Sequence, residues 1–313
     1  MIWIIGAGNM AQEYAKVLKD MSQEFIVIGR DPERTQKLKM TYPEVEIFSG
    51  GLTAFLKTNP SKATHAIVAT PVLTLAAVTE ELLNYGVTSL LVEKPGFIYE
   101  HEMAKIKELQ GRNQIFIAYN RRFYSSVAEM QKRIIEDGGL NSFLFEFTEW
   151  SDEILTLNKS SDELKNWFLA NSTHVVDLAF FVGGKVEELN TFRSRSLPWH
   201  PSASAFAGAG KCENNVVFSY HAGWDSPGRW SLEFLTKTHR YHLRPTEKLQ
   251  IQKRNSVSTS FVEINDELDT KFKPGLYLMV QAFLDEKNSL RKSLCTFSEL
   301  CEKYKTFKEM AGY

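Results

Sequence analysis

At 313 residues, with 43% hydrophobic and 24% charged side chains, the chain carries enough apolar material for two ordinary domains and is too apolar for a disordered protein. Its 37 basic and 38 acidic side chains leave a formal net charge of −1, which excludes a global electrostatic footprint for nucleic acid or an anionic membrane. No apolar run approaches the ~20 residues of a membrane span.

The first 120 residues alternate strand and helix. Short apolar runs at Ile2–Ile5, Phe25–Ile28, His65–Ala69, Ser89–Val92 and Ile115–Ala118, with Val45–Phe48 as a weaker sixth, read as strands buried on both faces. Segments with helical spacing lie between them, at Ala11–Lys19, Pro32–Met40, Leu73–Asn84 and His101–Gln110. This order predicts a doubly wound Rossmann domain over residues 1–121 with a parallel sheet.

The pattern changes after Arg122. A helix is expected over Ser125–Asp137, then a strand over Ser142–Trp150, and a polar, loop-like stretch from Ser151 to about Glu163. Longer strand segments follow at Val186–Arg193, Ser202–Gly208, Val216–Trp224, Trp230–Thr236 and Tyr241–Arg244, with helices over Leu276–Leu284 and Phe297–Met310. In Val216–Trp224 the residues Phe218, Tyr220, Ala222 and Trp224 alternate with Val217, Ser219, His221 and Gly223, the period of a sheet with one covered face. The expectation is an α+β domain over residues 122–313, built on a largely antiparallel open sheet.

Cys212, Cys295 and Cys301 have no metal-ligand spacing, nor do His200, His221, His239 and His242, so no metal is expected. Sparse cysteines, and a first apolar run without a basic flank, fit a cytoplasmic protein. Trp199, Trp224 and Trp230 read as core or interface residues.

Gly6-Ala7-Gly8-Asn9-Met10-Ala11 directly follows the first strand and fits G-x-G-x-x-A. Gly6 suits the tight turn, Gly8 the approach of a pyrophosphate, and Ala11 the close packing of helix on strand. Backbone N–H groups at Asn9 and Met10, opening the helix, suit the phosphates. The second strand ends Gly29-Arg30-Asp31-Pro32-Glu33-Arg34. Gly29 stands where an NAD site usually carries an acid for the ribose 2′-hydroxyl, and Arg30 and Arg34 suit a 2′-phosphate. NADP(H) is therefore the preferred expectation and NAD(H) the alternative, in which Asp31 takes the ribose. Asp31 before Pro32 reads more readily as a helix cap.

Glu93-Lys94-Pro95 ends the fifth strand, Ala69-Thr70-Pro71 follows the fourth, Tyr119-Asn120-Arg121-Arg122-Phe123 ends the sixth, and His174-Val175-Val176-Asp177 opens a later helix. As an ordered set with the glycine turn, these motifs resemble the Gfo/Idh/MocA family of sugar dehydrogenases over nearly the whole chain. The resemblance implies an NAD(P)-dependent oxidoreductase acting on a sugar or sugar-like substrate, and a homodimer or homotetramer formed through the open sheet. It places Thr70, Pro71, Glu93 and Lys94 at the cofactor, implies a cis bond before Pro95, and gives His174 the proton-transfer role.

The residues fit that chemistry. A lysine at the carboxyl end of a strand can donate to a substrate oxygen and stabilise its negative charge as hydride moves. An imidazole titrating near neutral pH suits removal or return of a hydroxyl proton, although a capping or core histidine is the other reading of His174. Asp177, three residues on, shares a neighbouring face and is a candidate partner for Lys94 or His174. Both are expected at the margin of an apolar stripe made by Val175, Leu178, Ala179 and Val182. Tyr119, Arg121, Arg122, Tyr124, Trp167 and Asn171 are candidate lining residues. The arginine pair suits either an acidic substrate or an interdomain salt bridge.

Two positions depart from the family pattern. Ala170 stands where members with the Lys–Asp–His set have an aspartate four residues before the histidine, and Val72-Leu73-Thr74-Leu75 lacks the usual histidine after Thr-Pro. Asn171 can replace the hydrogen bond of that aspartate but not its charge. The alternatives are a cofactor- or sugar-binding regulator without turnover, and a reductase of a non-sugar substrate.

Overall fold

The computed structural model describes residues 1–313. The chain divides into two compact units, Met1–Asn120 with Thr270–Cys301, and Arg121–Asp269 with Glu302–Tyr313. The first boundary lies one residue from the one expected. Residues 270–301, expected in the second domain, belong instead to the first unit, because Cys295–Thr296 pairs antiparallel with the strand Gln114–Ala118.

Six strands lie in the first 120 residues: β1 (Ile2–Ile5), β2 (Phe25–Gly29), β3 (Glu46–Ser49), β4 (His65–Val68), β5 (Ser89–Glu93) and β6 (Gln114–Ala118). Eight follow in the second unit: β7 (Ser142–Glu146), β8 (Val186–Ser194), β9 (Ala205–Cys212), β10 (Val217–Gly223), β11 (Ser231–Leu235), β12 (His239–Leu243), β13 (Gln250–Lys253) and β14 (Thr259–Phe261). Cys295–Thr296 is β15.

The first sheet has the order β15-β6-β5-β4-β1-β2-β3, parallel except for β15. Its central strands read as unbroken apolar runs because helices cover both faces. Trp3 in β1 is fully buried and meets Phe55 edge-on at 5.1 Å. The reversal of strand order at β1/β4 makes a crevice at the carboxyl ends of the strands, the place where such sheets take ligands.

The second sheet has the order β14-β13-β12-β11-β7-β10-β9-β8 and is antiparallel except for β10/β7. Phe143 and Phe145 of β7 are buried, stack on Phe218 and Tyr220 of β10, and meet Phe180 edge-on. Phe180 belongs to the helix Thr173–Gly183, so these contacts seat the helix that carries His174. The stretch expected as loop contains two short helices, Ser151–Leu155 and Ser161–Lys165. Strands β13 and β14 were not expected. Both are half-exposed or exposed along their length and lack an apolar face.

Candidate active site

In the first unit the glycine turn is fixed by close packing. Gly6 has φ +122°, and a Cβ there would lie 2.3 Å from the carbonyl oxygen of Ala69. Only glycine fits, and Gly8 then opens the helix Asn9–Asp20 with Ala11 fully buried against the sheet. Asn9 and Met10 thus sit at the helix start, as expected.

The end of β2 has a physical reason for lacking an acid. A Cβ at Gly29 would lie 2.3 Å from Thr35 Cγ2 and 2.8 Å from Ala7 Cβ, so the fold leaves no room for a side chain there. Asp31 caps the next helix, its Oδ1 accepting from the backbone N–H of Glu33 at 2.9 Å and of Arg34 at 3.2 Å. That was the expected reading; Oδ1 serves the cap, and Oδ2 lies 3.7 Å from Arg34 Nε. Arg34 reaches back over the glycine turn, with Nη1 3.8 Å from where a Gly8 Cβ would be. Arg30 is exposed and packs against Gly51.

Thr70, after β4, holds a buried Oγ1 without a hydrogen-bond partner. A buried hydroxyl in that state needs a polar neighbour. The orphaned Thr70 hydroxyl, the glycine cradle and the two arginines all fit a dinucleotide, and Pro71 opens the short helical turn that follows.

At the end of β5, Tyr14 donates to Glu93 Oε1 at 2.6 Å. Burial raises the pKa of the Glu93 carboxyl, while the Tyr14 hydrogen bond and the charges of Lys94 and Lys273 pull it back. Tyr14, which sequence reasoning missed, therefore clamps the strand end that carries Lys94. Lys94 is half-buried, and the Lys94–Pro95 bond is cis, as the family likeness implied. Tyr119, at the end of β6, is buried.

In the second unit His174 is 9% exposed, and its ring centre lies 6.0 Å from that of Trp230. Its helix is buried on nearly every side, not along one stripe, so His174 and Asp177 do not sit at an apolar margin. Asp177 is fully buried. Its Oδ2 accepts from Arg122 Nε at 2.7 Å, and its Oδ1 from Arg122 Nη2 at 2.6 Å and Lys303 Nζ at 2.9 Å. Burial opposes ionisation of Asp177, but Arg122 and Lys303 outweigh it and hold the carboxyl below its ordinary range. Both oxygens are thus committed to structural cations. Asp177 as a catalytic partner and Arg122 as a substrate ligand give way to a buried ion pair inside one unit, because two charges in a dry site must neutralise each other.

The turn before His174 also differs from expectation. Residues Phe168–Ser172 form one turn of π-helix, a distortion frequent at functional sites. Ser172 Oγ donates to Glu149 Oε1 at 2.8 Å, and Asn171 Nδ2 donates to the same carboxylate at 2.9 Å and 3.2 Å. Glu149 is 1% exposed, and Arg229 Nη1 lies 3.4 Å from its Oε2. A carboxylate from the segment after β7 thus meets this turn, although position 170 carries none.

Arg121 is partly exposed, with a buried Nε that has no partner. Trp167 is buried, and its Nε1 has no partner either. Trp199, Trp224 and Trp230 are all buried, as expected; Trp199 and Trp224 stack, and two arginines lie over Trp230.

A family model, the Gfo/Idh/MocA oxidoreductase family with an NAD-binding Rossmann fold, matches residues 1–119. No curated protein matches the chain in sequence. Among solved structures, an oxidoreductase from Agrobacterium radiobacter in complex with NAD+, L-tartaric acid and magnesium shares 15% identity at a TM-score of 0.78, covering 99% of this chain and 96% of that one. The UDP-N-acetylglucosamine 3-dehydrogenase of Acidithiobacillus ferrooxidans shares 16% identity at 0.74, over 99% and 96%. A levoglucosan dehydrogenase in complex with NADH shares 15% at 0.77, over 99% and 95%. Likeness at this level is a likeness of fold.

Proposed function

We propose that this chain, whose first 119 residues match the Gfo/Idh/MocA oxidoreductase family, transfers hydride between NADP(H) and a carbon of a sugar or sugar-derived substrate. The observation that carries the cofactor choice is the closed position at Gly29, with Arg34 folded back over Gly8. No carboxylate can be built where one would repel a 2′-phosphate, and Arg30 and Arg34 supply the charge to hold it. Bound nicotinamide would accept the hydride in oxidation and supply it in reduction.

The chain's own residues would do the rest. The Lys94 ammonium donates to the reacting oxygen and stabilises negative charge on it. His174 takes the hydroxyl proton when the alcohol becomes a carbonyl and returns it in the reverse direction. Glu149 holds the turn that leads into His174, and Trp167 and Arg121 offer unpaired donors to substrate oxygens. The feature favouring a regulator without turnover is the missing acid at Ala170, and the Glu149 carboxylate beside the turn supports the enzyme reading against it.

Complexes of fold relatives with NAD+ and tartaric acid or with NADH support a nicotinamide cofactor and a small polyhydroxylated ligand. No helix is long and apolar enough to cross a membrane. Three cysteines outside any disulfide support a cytoplasmic enzyme. The exposed Phe192, Val217 and Phe261 support a homodimer or homotetramer formed through the second sheet.

Titration with NADPH and NADH, read by nicotinamide fluorescence, tests the cofactor assignment. Arg34→Ala is expected to weaken NADPH about tenfold and leave NADH nearly unchanged. Equal losses for both would sink the 2′-phosphate argument. Turnover on a panel of polyols and sugar acids should vanish in Lys94→Ala and His174→Ala, and turnover that survives both would overturn the chemistry.

A further inference from the structure

Arg121 and Arg229 are 108 positions apart in sequence by their numbers, yet both guanidiniums lie 4.7 Å from the centre of the Trp230 ring. Arg229 also lies 4.7 Å from the centre of the Trp150 ring, whose Nε1 is tied to the carbonyl of Gly228 at 2.7 Å. Arg121 lies 5.8 Å from the ring of Tyr124. Two like charges on one indole repel each other, and the arrangement is favourable only when something negative stands near them.

The acids close by do not complete the site. Glu149 meets Arg229 through one nitrogen at 3.4 Å, while Asn171 and Ser172 use the same carboxylate. Glu247 acts on Arg121 through its charge alone, and its carboxylate accepts from Thr246 Oγ1. Neither acid hydrogen-bonds to Arg121. Burial lowers the pKa of the Arg121 guanidinium.

Two donors in the cluster are left without acceptors. Arg121 Nε is buried and unpaired, and so is Nε1 of Trp230, a residue only 7% exposed. Each unmade hydrogen bond has a desolvation cost that a ligand oxygen would remove. Both are N–H groups, so the missing partner must bring acceptors. The His174 ring borders the same indole.

We propose that Arg121, Arg229 and Trp230 form a subsite for an acidic oxyanion on the substrate, a carboxylate or a phosphate monoester. The inference rests on the dehydrogenase reading and narrows its substrate from sugars in general to acidic ones. Arg229 is exposed and meets the ligand from the solvent side, whereas Arg121 and the Trp230 N–H fix it in place. The Arg121–Arg122 dipeptide thus divides its work. Arg122 neutralises Asp177, and Arg121 finds its functional companion far along the chain.

Binding of D-glucuronate, D-glucose 6-phosphate and D-glucose to the full chain, by calorimetry with and without NADPH, tests this independently of turnover. Glucuronate, the phosphate ester or both should bind more tightly than glucose, and added salt should weaken them. Arg229→Gln should lower that affinity about tenfold without changing glucose binding, Arg121→Gln should lower it at least as much, and Trp230→Phe should lower it less. Arg229→Gln guards against a folding artefact, since its side chain is 45% exposed. A preference for the carboxylate or for the phosphate identifies the source of the oxyanion. Equal binding of acidic and neutral probes, no binding of either acid, or acid binding untouched in folded Arg229→Gln overturns the subsite. Acid binding without any nicotinamide turnover would leave the subsite standing and sink the hydride-transfer reading.

Discussion

Asp177 and Glu149 are both carboxylates with side chains 1% exposed in the second unit, and each meets an arginine. Their surroundings differ. Asp177 is gripped by Arg122, itself 1% exposed, and by Lys303, at 17%. Glu149 is held by neutral donors from Asn171 and Ser172, and its arginine is 45% exposed. One node is closed, both carboxylate oxygens held by cations. The other is closed on its inner side and continues outward to Arg229, Trp230 and an unpaired Arg121. Burial of a carboxylate therefore does not mark a working residue. What separates the two is whether neighbouring donors remain unsatisfied.

Asn substitutions should widen this contrast most at the closed node. Asp177→Asn strands two cations in a dry site and is expected to cost about 3–5 kcal/mol in urea unfolding. A cost below 1 kcal/mol, on the order of a surface pair, would show the node to be less closed than its geometry implies.

A second closed node extends the comparison. His200 is fully buried, with Nδ1 2.6 Å from the carbonyl of Ala203 and Nε2 2.5 Å from the Tyr313 hydroxyl. Burial pushes its pKa from 6.5 down to about 4. Protonation then favours the unfolded chain, so this contribution is complete above the unfolded value and is lost as pH falls through 6.5 toward about 4. The loss should be roughly 3 kcal/mol across that window. His200→Gln should flatten that part of the stability-against-pH curve, and an unchanged slope would argue against a neutral buried imidazole.

Glu149→Gln should behave differently from Asp177→Asn. Its arginine reaches water, so the expected loss of stability is about 1 kcal/mol, while kcat/KM falls about tenfold as the turn before His174 loosens. A large drop in melting temperature with unchanged kcat/KM would place Glu149 among the closed nodes. The smallest effect belongs to Tyr14→Phe. Removing one hydrogen bond to Glu93 should cost about 1 kcal/mol, with the loss confined to the clamp beneath Lys94. Exchange protection along β5 would show it.

These contrasts also explain which parts were legible in the sequence. The first unit was readable because a parallel sheet covered on both faces writes each strand as one apolar run, and because Gly6, Gly8 and Ala11 are demanded by local packing. The antiparallel sheet was readable where one face is covered, as in β10, and not in β13, where Gln250 and Gln252 flank Ile251 on a strand without a buried face. Arg121 and Arg122 looked like one feature because they are adjacent, yet their side chains serve different partners. Glu149, Arg229 and Tyr14 were missed because tertiary neighbours at separations of 22, 80 and 79 residues leave no periodic trace. The docking of Leu276–Leu284 into the first unit was equally silent, since an apolar helix does not name the core it joins.

The pairing of β15 with β6 has a consequence for synthesis. Its two residues, Cys295 and Thr296, leave the ribosome some 180 residues after β6, so the nascent Rossmann unit waits with that sheet edge open. During that interval the chain makes residues 121–269, the larger part of the second unit, as an insertion within the first. A fragment ending at residue 120 would keep the open edge permanently, and a useful truncation of this protein would have to carry residues 270–301 with it.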